Sequence, residues 1–325
     1  MSPTGRQIST RYVQLYNELL GVSGILMREA LSYKGIDLSK NMSVDAITHA
    51  VIFAVEDGKV TESSVRELIL DASEYGTKTV YLYRADKAVL KEWNPPMGAA
   101  VIASRDAARV LQSTGQERMW YVLREDSRIR MAFSEEHINF TIDMQSEGTI
   151  KRPVQRVITV EANSKTGDVT LTMDGAGRKH HHGTKMQYMK YWKERAAVLL
   201  GATLEPLELA NALTVLQNQD IVEIKNTTIP SETGEKIVIS RDPTIQIPGH
   251  DVRLGPIYKR ASPGRIGFER DEYSWLPQSG ANGSAGIPRR VIDTTIFVPA
   301  GEVKFTRETL SFETEYVLGH LRANA

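Results

Sequence analysis

Between residues 151 and 195 the chain concentrates the side chains best suited to holding phosphate. Ten are cationic: Lys151, Arg152, Arg156, Lys165, Arg178, Lys179, Lys185, Lys190, Lys193 and Arg195. Four acids stand against them, Glu161, Asp168, Asp174 and Glu194, so the segment carries +6 within a chain of zero formal net charge and the remainder carries −6. Three consecutive histidines, His180, His181 and His182, and the aromatics Tyr188, Tyr191 and Trp192 interleave with the cations. Lysine and arginine pair with phosphate oxygens and give affinity without reading sequence, while aromatic faces stack on unpaired bases. The candidate nucleic-acid contacts are therefore Lys151, Arg152, Arg156, Arg178, Lys179, His181, Lys185, Tyr188 and Lys190. The same spacing has a plainer reading, in which aromatics three and four apart form the core face of a helix and the lysines its solvated face. Consecutive histidine side chains diverge and do not converge on one ion, so no metal site is assigned to them.

A second chemistry is suggested by Glu-x-Lys tripeptides. A metal-dependent nuclease of the restriction-enzyme type needs an Asp on one strand and Glu-x-Lys on its neighbour, the acids holding Mg²⁺ and the lysine positioning the attacking water. Glu302-Val-Lys304 has Asp293 nine residues upstream, across Pro299-Ala-Gly. That order resembles the nuclease pattern, although Glu302 is expected at the turn. Glu223-Ile-Lys225 has its nearest acid, Asp220, on the same expected strand. On any strand, residues two apart share a face, so Glu and Lys in this pattern also suit an ordinary solvent face. Asp293, Glu302 and Lys304 are the candidate catalytic set. Mg²⁺ is expected only under that reading, and otherwise no cofactor.

Several chemistries are excluded or lack a signature. The chain has no cysteine, which removes disulfides, thiolate metal sites and cysteine nucleophiles together. It contains no G-x-x-x-x-G-K-[ST], no G-x-S-x-G and no H-E-x-x-H. Gly175-Ala-Gly-Arg-Lys matches a phosphate loop only in composition and reads as a turn.

The elements that must position these residues follow from periodicity. Helices are expected over 8–33 with interruptions at Gly21 and Gly24, from Ser43 to Val55, from Ser64 to Tyr75, from Ala85 to Trp93, over 185–200, from Pro206 to about Leu216 and over 308–321. Short strands are expected at 79–83, 119–123, 129–133, 137–142, 155–161, 168–173, 220–225, 236–240, 291–298 and 303–306. Residues 241–290, rich in Pro, Gly, Arg and Ser, read as a long irregular stretch. Strands and helices do not alternate, so the expected class is α+β: a helical N-terminal segment followed by a mixed, mostly antiparallel sheet with flanking helices. Asn94-Pro95-Pro96 is the expected boundary between a helical domain, 1–95, and an α+β domain, 96–325.

The N-terminus has no apolar signal-peptide core and no stretch is long and apolar enough to cross a membrane, so a cytoplasmic protein without a membrane partner is expected. Two function classes lead: a nucleic-acid-binding or complex-scaffolding protein with its basic surface at 151–195, and the nuclease. A third is a structural subunit that meets protein partners or a second copy through aromatics such as Tyr258, Tyr273 and Trp275. Arg253, Lys259, Arg260, Arg265, Arg289 and Arg290 extend the cationic set. The helical plan containing Ser43-Val-Asp-Ala-Ile-Thr-His and Glu56-Asp-Gly-Lys-Val-Thr-Glu-Ser-Ser, followed by a β-rich half, is loosely similar to the centromere protein N family. The resemblance implies association with DNA. It includes no diagnostic motif, and no residue role is carried over from it.

Overall fold

The computed structural model describes residues 7–74, 78–99, 101–102, 118–143, 148–174, 185–217, 219, 221–230, 236–240, 270–277 and 287–325. Four helices come first: α1 (Val13–Leu19), α2 (Gly24–Tyr33), α3 (Val44–Glu56) and α4 (Glu62–Glu74). The expected helix over 8–33 is broken between α1 and α2, where the Ser23 hydroxyl accepts a hydrogen bond from the Leu26 amide and caps α2. Ser43 caps α3 in the same way, accepting from the Ala46 amide. These helices bury one another through Leu15, Leu19, Leu26, Met27, Ile47, Val51, Ile52 and Leu68, and Leu310 joins them from the far end of the chain.

The remaining described elements build one sheet of twelve strands with helices on both faces. They are β1 (Lys78–Arg84), α5 (Lys87–Glu92), β2 (Val101–Ile102), β3 (Arg118–Glu125), β4 (Arg128–Asp143), β5 (Gly148–Asn163) and β6 (Asp168–Asp174). Then follow α6 (Lys185–Leu200), β7 (Glu205–Pro206), α7 (Ala210–Gln217), β8 (Val222–Pro230), β9 (Lys236–Ser240), β10 (Arg270–Trp275), β11 (Ile292–Phe297), β12 (Glu302–Phe305) and a last helix, α8 (Ser311–Asn324). The strand order is β2-β3-β4-β5-β6-β1-β12-β11-β10-β8-β9, with β7 pairing onto β1. Among the described residues only β2 and β3 pair in parallel, and every other pairing is antiparallel. The α+β class is thus as expected.

Strand alternation divides the core. In β1, Tyr81 and Tyr83 face α5 and α6, joined by Met131, Phe133, Val160 and Leu171. Val80 and Leu82 point to the other face, against α7 and α8, with Tyr273, Trp275, Ile296, Val303 and Phe305. Because β1 lies between β6 and β12, the sheet runs across Pro95–Pro96, and residues on both sides of that dipeptide share one hydrogen-bonded layer.

Three expected elements differ. Two short strands, 129–133 and 137–142, are one sixteen-residue strand, and 155–161 is the inner part of another. Ser134-Glu-Glu broke the apolar alternation without breaking the ladder. Residues 270–275, expected to be irregular, form a strand between β8 and β11; Tyr273 and Trp275 are core residues rather than loop aromatics. Their alternation is too short, and too mixed with charge in Arg270-Asp-Glu, to register as a strand. Around Pro206 the chain pairs with β1 before α7 begins at Ala210.

The turn after β11 needs its glycine. Gly301 has φ +59°, and a Cβ there would sit 2.6 Å from the Leu82 carbonyl oxygen, whose own amide donates to the Gly301 carbonyl at 2.8 Å. Gly301→Ala is expected to cost about 1–3 kcal/mol from backbone conformation alone; an unchanged urea midpoint would show that this turn relaxes freely.

Candidate nucleic-acid interface

The feature that gathers the predicted basic positions is a two-stranded ribbon. β4 and β5 stay in register for their whole length, from Arg128↔Asn163 to Asp143↔Gly148. β3 accompanies β4 only as far as Ser134, and β6 accompanies β5 only over Thr159–Ala162. From Glu135↔Arg156 outward, neither strand has a further hydrogen-bonded neighbour among the described residues. This stretch covers nine residue pairs, a span of roughly 27 Å at about 3.4 Å per residue. Lys151, Arg152 and Arg156 all belong to this stretch. Lys151 is opposite Phe140, Arg152 opposite Asn139, and Arg156 opposite Glu135. The acids of the opposing strand, Glu135 and Glu136 at the root and Asp143 at the outer end, flank the Lys151–Arg152 pair rather than oppose it.

Helix α6 sits at the root of the ribbon. The Tyr188 hydroxyl donates to the Glu135 carboxylate at 2.7 Å, and Glu135 is the register partner of Arg156. Lys185, the first residue of α6, lies one turn before Tyr188. The fold thus brings β5's cationic positions and the start of α6 to one end of the sheet. The reason is packing: Trp192 stacks at an angle on Phe133 at 5.0 Å, and Trp93 on the other flank donates from its indole nitrogen to the Leu199 carbonyl at 2.7 Å.

That packing removes one predicted contact. Tyr188 is 2% exposed and Trp192 fully buried, so neither ring is available to stack on a base. The core-face reading of these aromatics is the correct one: residues 188, 192, 196 and 200 recur every four positions and all are buried. Lys190 does face solvent, shared with Glu194 one turn on at 3.8 Å. Lys193 lies over the Tyr83 ring at 5.3 Å, and the Arg195 guanidinium lies 5.6 Å from the Trp192 ring. Arg178, Lys179 and the three histidines lie outside the described residues, as do Arg253, Tyr258, Lys259, Arg260 and Arg265. Arg289 and Arg290 are fastened to the helical layer: Arg289 over Tyr33 at 5.1 Å, and Arg290 paired with Glu313 at 2.7 Å.

No family model matches the chain, and no curated protein matches it. The likeness to the centromere protein N family therefore stands on layout alone.

The nuclease set is not assembled. β11 and β12 pair antiparallel as the motif requires, but Asp293 is level with Thr306, whereas Glu302 is level with Phe297. Four strand positions separate the carboxylates, about 13 Å, too far to share one ion. Each is engaged locally. Asp293 accepts from Lys225 and Ser274, both at 2.7 Å. Burial would raise its carboxyl, but these donors hold it below the usual value. Glu302, at the edge of the α6 side, hydrogen-bonds Tyr81, whose hydroxyl is pushed up by burial and by that carboxylate. Lys304 lies between Thr79 and Thr295 in register. Among the described residues no cluster of three or more His, Asp or Glu could hold a metal ion. No described helix is long and apolar enough to cross a membrane.

Proposed function

We propose that the protein binds nucleic acid through the β4–β5 ribbon and the adjoining start of α6. The observation that carries this reading is the ribbon itself. Over its nine outer pairs neither strand has a further hydrogen-bonded neighbour among the described residues, and Lys151, Arg152 and Arg156 are positions of that stretch. Cations brought together with the start of α6 are what contact with a polyanion requires. Fluorescence anisotropy against salt tests it. Affinity is expected to fall linearly with the logarithm of salt. Neutralising Lys151, Arg152 and Arg156 to glutamine together is expected to shallow the slope by as much as about 2.7, at about 0.9 per phosphate contact. A flat salt response, or an unchanged slope in the triple variant, removes the reading.

Scaffolding is the second reading, favoured by one observation. Val13, Leu20, Ile25 and Val44 are exposed on the N-terminal helices, and Val44 lies against the start of α2. Light scattering that shows a strict monomer, with no co-purifying protein, would count against it.

A further inference from the structure

The four N-terminal helices carry a core of their own. That cluster draws on residues between Ile8 and Ala72 and takes only Leu310 and Phe312 from the rest of the described chain. The sheet buries its apolar residues in separate clusters. The described chain passes between the two bodies once, from the end of α4 at Glu74 to the start of β1 at Lys78. A unit with its own core and one covalent crossing can move as a body, because neither core has to open.

Among the described residues the contacts across this joint are largely polar. Ser311 of α8 donates to Asp71 of α4 at 2.8 Å, Ser23 donates to Glu308, and Arg130 of β4 pairs with Glu74 at 2.6 Å. At the end of α2 the Tyr33 hydroxyl accepts from the Arg289 amide at 2.9 Å. The Arg289 guanidinium lies over the same ring at 5.1 Å, and Arg290 reaches Glu29 at 3.8 Å. The Tyr33 ring also meets Phe312 edge-on at 4.8 Å. Polar groups regain water when they separate, so such contacts fix geometry while holding less firmly than apolar packing of similar extent. Nor is the joint filled. Leu123, Arg130, Ser311 and Phe312 line a cleft of about 330 Å³, and the last three are residues of the joint itself.

We infer that α1–α4 form a lid over this face of the sheet, latched by the Arg130–Glu74 pair at α4 and by Arg289 and Arg290 at α2, and that the lid lifts as one body and bares the cleft. Distances between paired spin labels test it. The chain has no cysteine, so introduced cysteines alone carry the labels. Lys59→Cys on the lid and Val198→Cys on α6 are both at exposed positions and report the joint. Val198→Cys with Val215→Cys of α7, also exposed, reports the sheet body alone. Tyr33→Phe, Arg289→Ala and Ser311→Ala together remove contacts that cross the joint and leave the Arg130 network in place. In that triple variant a second, longer Lys59–Val198 distance is expected to hold about a tenth of the molecules or more. The Val198–Val215 distance is expected to stay single and unchanged, and far-ultraviolet circular dichroism to match that of the unaltered protein. A single, unaltered Lys59–Val198 distance in the triple variant overturns the inference. So does a change in the Val198–Val215 distance or a loss of helical signal, because a lid that lifts leaves both cores intact.

Discussion

Arg130→Ala is expected to lower stability by about 3–5 kcal/mol, because it leaves buried carboxylates without their cation. Arg130 lies on the sheet face beneath α4, with its side chain 5% exposed. Its guanidinium pairs with Glu74 of α4 at 2.6 Å and with Glu161 of the neighbouring strand, and its Nε donates to the Tyr121 hydroxyl at 3.1 Å. Tyr121 in turn donates to Glu74, whose side chain is fully buried. Arg128 extends the network from Glu161, at 2.8 Å, toward Glu315 of α8. A buried pair of this kind stabilises little against an apolar replacement of similar volume, but half of one is costly. The double variant Glu74→Leu, Arg130→Met is therefore expected to lose less than the two single changes combined. Urea unfolding measures all of these; a single-variant loss below about 1 kcal/mol, or strict additivity, would refute the account.

The same network fixes an acid sensitivity. Burial pushes the Glu161 carboxyl up, but Arg130 and then Arg128 outweigh it and hold it at about 2, against an ordinary value of 4.5. A depressed folded value means that the unfolded chain takes up the proton first. The contribution of Glu161 is thus complete above about 4.5 and is lost as pH falls toward 2. Melting temperatures across this window are expected to decline in the unaltered protein and to decline less in Arg130→Ala.

Trp192→Ala is expected to cost about 3–5 kcal/mol, the range for deleting a buried indole. Trp192 is fully buried in the layer between α6 and the sheet, against Phe133 and edge-on to Tyr188 and Tyr191. Lys190→Ala, two residues earlier on the solvent side of the same helix, is expected to stay within about 0.5 kcal/mol. Near-equal losses for the two would mean that α6 does not dock through this face. Since α6 also braces the ribbon root through Tyr188 and Glu135, Trp192→Ala is expected to weaken nucleic-acid binding without altering any cation.

Element types were largely readable because their signals are local. Ser43 announces a helix start by capping chemistry, and the spacing of Tyr188 and Trp192 announces a docked face. The joins between elements were not readable. Ser134-Glu135-Glu136 looks like a turn, yet Glu135 is stabilised by a tyrosine 53 residues away, so the strand continues through it. Tyr273 and Trp275 follow a long irregular composition, and only pairing with β8 and β11 makes them core.

For the candidate interface, the amino-acid sequence by itself determined the charge: an excess of +6 within 151–195, in a chain with no cysteine chemistry. It also determined the α+β class, since periodicity is a property of neighbouring residues. Tertiary structure alone decided which cations could act together. Strand register separates Asp293 from Glu302 and places Lys151 and Arg152 on the paired outer stretch of β4 and β5, while core packing takes Tyr188 and Trp192 out of solvent. Both outcomes depend on pairings between residues distant in sequence, and no local pattern encodes which strands meet or in what register.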